Sequence, residues 1–303
     1  MTKLSMRHLR YFEALARLGH FGRAAEDCAV SQPALSAQIK EMEELLGAPL
    51  AERGARRIRL TPLGEAVALR AREILRAAEE MEGLARAAQN PLVGRLRIGI
   101  IPTVAPYLLP QIVTELTRRS PELDLRPREA VTQKLIGDLL EARLDAAVVA
   151  LPISEPALTE TPLFEEEFLL VRPPEDAGKP PPNPEALRGM RLLLLEEGHC
   201  FRDQALSFCE LSASPRELME GSSLSTLVRM VGAGIGVTLI PEMAAAVEAR
   251  SASVSLTRLP EPRPTRSIGM VWRKSDPLAG RLAQIAEIIR QTGAAASAFR
   301  EPV

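Results

Sequence analysis

The chain is 303 residues long, 46% hydrophobic, and carries a formal net charge of −1 at pH 7. That is enough apolar material for two or more cored domains. Its longest apolar stretches, near 146–152 and 231–241, fall short of the ~18 residues that cross a bilayer. Met1–Arg23 breaks every apolar run with a charge, so a soluble, cytoplasmic protein with no secretory leader and no membrane partner is expected. Its three cysteines should then stay reduced unless something oxidises them.

The near-neutral balance hides an asymmetry. Residues 1–62 carry ten Lys/Arg against seven Asp/Glu, so the basic surplus lies at the front. Leu9, Phe12, Leu15, Ala16 and Leu18 recur at helical spacing, and Gly19 ends that helix. A second helix runs from Gly22 to about Cys28, its Ala24 and Ala25 small enough for close packing. Ser31 is a natural N-cap and Pro33 a first-turn residue for a third helix, Gln32–Leu46. Leu35, Ile39, Met42 and Leu46 are expected to face inward, leaving Gln32, Ala34, Ser36, Gln38 and Lys40 outside. Short polar groups at a helix start can enter a major groove and reach base edges. Residues 50–61 then suit a β-hairpin bearing Arg53, Arg56, Arg57 and Arg59, a wing placed to hold phosphates. The competing reading is a three-helix protein-interaction module with a solvated basic loop.

The run Phe21-Gly22-Arg23-Ala24-Ala25 through Val30-Ser31-Gln32-Pro33-Ala34-Leu35-Ser36, then Ile39, Glu43 and Leu60-Thr61-Pro62-Leu63-Gly64, resembles the DNA-binding domain of LysR-type transcriptional regulators. The resemblance covers about the first 65 residues. It implies Gln32, Pro33 and Ser36 at the bases, Lys40 on the same face, and Arg53, Arg56 and Arg57 on the backbone of double-stranded promoter DNA.

From Pro62 to about Ala88, Val67, Ile74, Met81 and Ala88 repeat every seven residues, with Ala71, Ala78 and Ala85 between them. A heptad seam with a small-residue side predicts a self-associating linker helix, and paired readers would address half-sites about 34 Å apart. The alternative is a long helix packed on its own domain. Gln89-Asn90-Pro91 closes it, and 90–94 is the expected hinge.

After Gly94 the pattern alternates. Strands are expected at Leu96–Ile101, Leu123–Glu129 and Asp145–Leu151, with helices at Val104–Arg119 and about Thr132–Arg143, which argues for a parallel α/β sheet. Phe168–Arg172 begins a second unit, and Pro173, Pro174, Pro180, Pro181, Pro182 and Pro184 mark an exposed loop. Leu192–Leu195 leads straight to His199-Cys200. Leu224–Val231 is expected helical, Val237–Ile240 and Ile268–Trp272 extended, and a last helix runs from about Pro277 to Gln291. This layout resembles the periplasmic-binding-protein type II-like effector domain of two α/β subdomains, with a ligand cleft between them. The expected organisation is therefore a winged helix-turn-helix at 1–62, a linker helix and hinge at 63–90, and a regulatory region at 91–303. Within it the subdomains are about 91–164 plus 269–303 and 165–268.

Cys200 and Cys209 stand nine residues apart in a polar segment. A helix between them would separate their Cα atoms by roughly 13–14 Å, whereas a disulfide needs about 7 Å or less. Either they never pair, or pairing requires the segment to unwind. Ile100-Ile101-Pro102-Thr103, Pro106-Tyr107-Leu108-Leu109-Pro110, Glu129-Ala130 with Thr132-Gln133, residues 197–209 and Arg266-Ser267-Ile268-Gly269 together resemble the peroxide-sensing OxyR regulators; Phe201 and Glu210 depart from that pattern. The resemblance implies a non-enzymatic activator, a homodimer or homotetramer, with Cys200 peroxidatic and Cys209 resolving. Thr103, Thr132, His199, Asp203 and Arg266 would surround the thiolate and hydrogen peroxide. RNA polymerase and a glutaredoxin- or thioredoxin-type reductant would be further partners, and no cofactor is implied.

The chemistry has its own logic. A free thiol has a pKa near 8.5, so a cation such as Arg202 or Arg266 is expected beside it, and a thiolate reacting with peroxide gives a sulfenic acid that condenses with a second thiol. Blander roles stand beside these: Cys28 as a buried small hydrophobe, Thr103 as an N-cap, Arg266 in a structural salt bridge. Two other functions compete, a LysR-type regulator binding a small metabolite anion in its cleft, and a thiol enzyme consuming peroxide.

Overall fold

The structure is a computed structural model describing residues 4–52, 58–87, 94–183, 186–187, 189–208 and 219–296. It splits into two compact units, Met1–Asn90 with Glu141–Arg143, and Pro91–Leu140 with Leu144–Val303.

In the first unit, α1 (Met6–Leu18) begins with a capping box: Ser5 Oγ accepts from the His8 amide and His8 Nδ1 accepts from the Ser5 amide. His20 caps α2 (Phe21–Asp27), and Ser31 caps α3 (Gln32–Leu46) as expected. Phe12, Leu15, Leu35, Ile39, Met42 and Leu50 form the fully buried centre. Leu46 does not join them; it is 36% exposed at the last turn of the helix, which Gly47 ends at the next residue. β1 (Ala51–Glu52) and β2 (Arg59–Leu60) pair antiparallel as the base of the expected wing. The wing tip with Arg53, Arg56 and Arg57 lies outside the described residues.

The linker helix α4 spans Pro62–Ala87, about 39 Å at 1.5 Å per residue. Its first turn presses on the wing: a Cβ at Gly64 would stand 1.9 Å from the Leu50 carbonyl oxygen, so only glycine fits. Ala68 and Ala71 are buried in the core of this first unit. This corrects the expectation that Ala71 belongs to the self-association seam, since its face of the helix is already taken by α1. Leu63, Ile74 and Met81 remain 44%, 47% and 71% exposed. Ala85 and Ala88 are not among the described side chains.

The second unit is built on one seven-stranded sheet in the order β10-β6-β11-β5-β3-β4, with β9 also paired to β6. β3 (Gly94–Ile100), α5 (Ala105–Arg119), β4 (Leu123–Glu129), α6 (Thr132–Leu140) and β5 (Ala146–Leu151) follow the expected order, and β3 is parallel to both β4 and β5. The all-parallel expectation fails beyond that point. β6 (Leu158–Arg172) and β11 (Thr265–Arg273) run antiparallel to each other, and β11 antiparallel to β5. β6 is fifteen residues long, but its first half is polar and holds Pro162, so only its apolar end at Phe168–Arg172 stood out in the sequence. That half pairs with β11, while its apolar end pairs with β9 (Thr238–Pro241) and β10 (Ser255–Arg258). The β6–β11 register shifts between Ile268 and Gly269. β7 (Leu193–Leu195) and β8 (Met219–Gly221) form a separate parallel pair, flanked by α7 (Cys200–Phe208) and α8 (Leu224–Gly232), with the short α9 (Ala245–Glu248) packed on α8. α10 (Ala279–Ala296) packs back on α5 and β6.

Candidate functional site

Gly198, at φ +94°, turns the chain leaving β7 so that Cys200 opens helix α7. Cys200 is a free, half-buried thiol packed on the apolar core. Its backbone position at a helix start offers amide N–H groups and positive dipole to a sulfur anion. A Cβ on Gly198 would lie 3.8 Å from Val131 Cγ2, so the chain entering α7 passes near the residue preceding Thr132. Cys209 lies outside the described residues.

Phe201 joins the thiol to a buried polar cluster. Its ring sits 4.8 Å from that of Phe168, tilted by 58°, and the Arg266 guanidinium lies 5.2 Å from its centroid. Arg266 is engaged through all three of its nitrogens. Nε donates to Glu166 Oε1 at 2.9 Å, Nη2 lies 2.7 Å from the same oxygen, Nη1 donates to Thr103 Oγ1 at 2.8 Å, and Nη2 donates to the Thr103 carbonyl at 3.1 Å. The second Glu166 oxygen accepts from the Met243 amide. Both charged side chains have 0% exposure. A guanidinium has no acceptor, so Thr103 Oγ1 must accept from it, which leaves the threonine proton free to be donated elsewhere. Thr132 Oγ1, at the start of α6, is buried and unpaired among the described residues. Thr103 and Thr132 thus each keep unused hydrogen-bonding capacity.

Further in, Tyr107 donates to Glu248 at 2.7 Å, and Ser225 donates to the same carboxylate oxygen at 2.8 Å. Burial first, then the bond to Glu248, pushes the Tyr107 hydroxyl well above its ordinary value, so it stays a donor. Burial pulls the His199 imidazole below its ordinary value against the opposing pull of Glu196 and Glu129. Neutral His199 is therefore the favoured form.

The two arginines expected to bring positive charge to the thiol are both paired with carboxylates. Arg202 is buried and turned toward the β7–β8 pair, where Nη1 donates to the Leu195 carbonyl at 2.9 Å and to Glu220 at 2.5 Å. Asp203 is exposed on α7. Of the expected site residues, Arg266 meets the Phe201 ring and bonds Thr103, whereas Arg202 pairs with Glu220 and Asp203 is exposed. Glu166 was missed because it sits in an acidic run, Glu165-Glu166-Glu167, that reads as solvated. Strand alternation is the signal that finds it, since Glu166 shares a face with Phe164 and Phe168. Among the described residues, no His, Cys, Asp and Glu group is arranged to hold a metal ion. No described helix is long and apolar enough to cross a membrane.

In the first unit, Gln32, Pro33 and Lys40 are exposed and Ser36 half-exposed along one side of α3. Lys40 is held loosely by Glu44 at 3.5 Å, an exposed pair that a phosphate can displace. Gln38 donates to Glu41, which also faces His8 of α1 at 3.4 Å.

A helix-turn-helix unit followed by a mixed α/β effector unit defines a ligand- or signal-responsive DNA-binding regulator. Residues 6–65 match the family described as bacterial regulatory helix-turn-helix protein, lysR family, and residues 89–294 match the LysR substrate binding domain. A probable hydrogen peroxide-inducible genes activator of Streptomyces viridosporus is 41% identical over 95% of this chain and 94% of its own. The Escherichia coli K12 DNA-binding transcriptional dual regulator OxyR is 40% identical over 95% of each. A cysteine-to-aspartate variant of full-length Pseudomonas aeruginosa OxyR superposes with a TM-score of 0.78 at 37% identity, covering 96% of both chains. A hydrogen-peroxide-bound cysteine-to-serine variant of Corynebacterium glutamicum OxyR gives 0.67 at 33% identity, covering 97% of this chain and 94% of that one. The chain belongs to the lysR family of transcriptional regulators, within its OxyR group.

Proposed function

We propose that this protein is a DNA-binding regulator that senses hydrogen peroxide through Cys200. The observation that carries the reading is this free thiol at the start of α7, followed by Phe201, whose ring meets the Arg266 guanidinium that is itself bonded to the Thr103 hydroxyl. The thiolate sulfur attacks one peroxide oxygen; the S–O bond forms as O–O breaks, and the departing hydroxide takes a proton to leave as water. Hydrogen bonds from Thr103, Thr132 and neutral His199 orient the peroxide and meet the charge growing on the leaving oxygen. The resulting sulfenic acid condenses with the Cys209 thiol, releasing a second water and forming the Cys200–Cys209 disulfide.

A helix over residues 200–208 holds its ends about 12 Å apart. Disulfide closure therefore unwinds α7, which is the conformational signal. The DNA arm of the function uses Gln32, Pro33 and Ser36 at bases, with Lys40, Arg53, Arg56 and Arg57 on phosphates. Its working form is a dimer joined through α4, paired into a tetramer, acting as a cytoplasmic activator through RNA polymerase and reset by a glutaredoxin- or thioredoxin-type thiol. The domain limits in this reading are 1–62, 63–90 and 91–303, with effector lobes of about 91–164 plus 269–303 and 165–268. Against a metabolite-anion ligand stands the pairing of both candidate arginines with carboxylates.

Stoichiometric hydrogen peroxide followed by peptide mass spectrometry tests this. A Cys200–Cys209 disulfide, absent from Cys200→Ser and Cys209→Ser and accompanied by a changed DNA footprint, is expected. Free thiols with an unchanged footprint would turn the assignment toward a metabolite sensor.

A further inference from the structure

The geometry points to Glu166 as a positioning residue for peroxide reduction, one that acts through Arg266 to aim the Thr103 hydroxyl. This rests on the peroxide-sensing reading and adds to it a residue outside the thiol segment. Arg266 is flanked on one side by Glu166 Oε1 and on another by Thr103, which it meets at both Oγ1 and the carbonyl, with the Phe201 ring against it. The Glu166 carboxylate is itself fixed by the Met243 amide on its other oxygen.

The charge balance decides what Arg266 can do. A guanidinium sharing a fully buried site with a carboxylate is close to neutral as a pair, so it projects little field onto a thiol. What remains is directional. Two N–H groups fix the orientation of Thr103 and assign its oxygen the acceptor role, so its one proton is left for an incoming oxygen. Without Glu166 the guanidinium is free to rotate toward other acceptors and Thr103 loses its fixed orientation. Glu166 thus never touches peroxide, yet it sets whether the threonine donates along the right line.

Glu166→Gln keeps the shape and one acceptor while removing the charge. It is expected to lower the rate constant for peroxide oxidation of Cys200 about tenfold, less than the roughly 10²–10³-fold lost when such a donor is removed outright, because the threonine proton is misaimed and not deleted. Alkylation of the same thiol by iodoacetamide needs no hydroxyl donor and should not slow. Combining Glu166→Gln with Thr103→Val should cost no more than Thr103→Val alone, because both act on one hydrogen bond. Equal slowing of peroxide and iodoacetamide, or additive losses in the double variant, would reduce Glu166 to a structural residue. If the unpaired buried guanidinium keeps Glu166→Gln from folding, the charge-free pair Glu166→Leu with Arg266→Met must show the same peroxide-selective loss. Unchanged selectivity there overturns the inference. A wild-type Cys200 that peroxide leaves untouched would instead defeat the sensing reading itself, so the two failures are separable.

Discussion

At the scale of single residues, the site is arranged by burial more than by charge. His199 illustrates this with a sign that can be checked. Burial, the largest influence, holds its folded-state pKa below the ordinary 6.5. On acidification the unfolded chain takes up the proton first, near pH 6.5, and the folded chain only lower. The stability linked to His199 is therefore intact above about pH 6.5, falls as pH drops toward the folded value, and levels below it. Calorimetric melting temperatures of His199→Gln should decline less than wild type over that acid window. Parallel profiles would mean that another group drives the decline. Cys200, Thr103 and Arg266 were singled out in sequence because they stand in short distinctive motifs. Glu166 was not, since a carboxylate inside a run of three reads as surface until strand pairing shows which one points inward. Arg202 erred the other way: adjacency in sequence to Cys200 suggested electrostatic help, but helical geometry carries its side chain to Glu220.

At the scale of elements, α4 and α7 carry the consequences. The heptad pattern of α4 was visible in sequence, yet the pattern alone did not say which face was already used. Ala71 is 1% exposed in the core of the first unit, whereas Ile74 and Met81 lie open. Met81→Glu with Ile74→Glu should shift the dimer proposed through α4 toward monomer in sedimentation velocity while leaving protomer unfolding within about 0.5 kcal/mol of wild type. Ala71→Leu should do the reverse, costing about 1–3 kcal/mol by overpacking. If Ala71→Leu instead dissociates a normally stable protomer, that face belongs to the seam after all. For α7, Phe201 anchors the helix on Phe168 and Arg266. Unwinding gives up that anchor, a large apolar side chain being worth about 1.5–3 kcal/mol buried, against roughly 2–3 kcal/mol from closing a ten-residue disulfide loop. Phe201→Leu weakens the anchor, so sulfenic acid should convert to disulfide several-fold faster in timed, quenched mass spectrometry. An unchanged conversion rate would mean that helix opening does not limit the switch.

At the scale of the effector unit, the separately expected strands turn out to be joined by two long antiparallel strands. β6 and β11 pass continuously through the regions that sequence reading placed in different subdomains, and their register shift falls at Ile268 and Gly269. That continuity was hard to see, because Pro162 and the acidic run interrupt the apolar pattern of β6 while its pairing is wholly non-local. Two buried polar locks cross the same region. Arg266 of β11 ties Glu166 of β6 to Thr103 before α5, and Tyr107 of α5 reaches Glu248 of α9. Locks of this kind resist small shifts and release as units, which suits a two-state sensor better than a graded one. Tyr107→Phe removes one donor from Glu248 but leaves Ser225 in place, so the carboxylate stays partly satisfied. The expected cost in urea unfolding of the reduced protein is about 1–2 kcal/mol. If the lock holds the reduced form specifically, the cost should shrink once the Cys200–Cys209 disulfide has formed. An equal cost in both forms would place Tyr107–Glu248 in the invariant frame, leaving the Arg266 cluster as the lock that the switch releases.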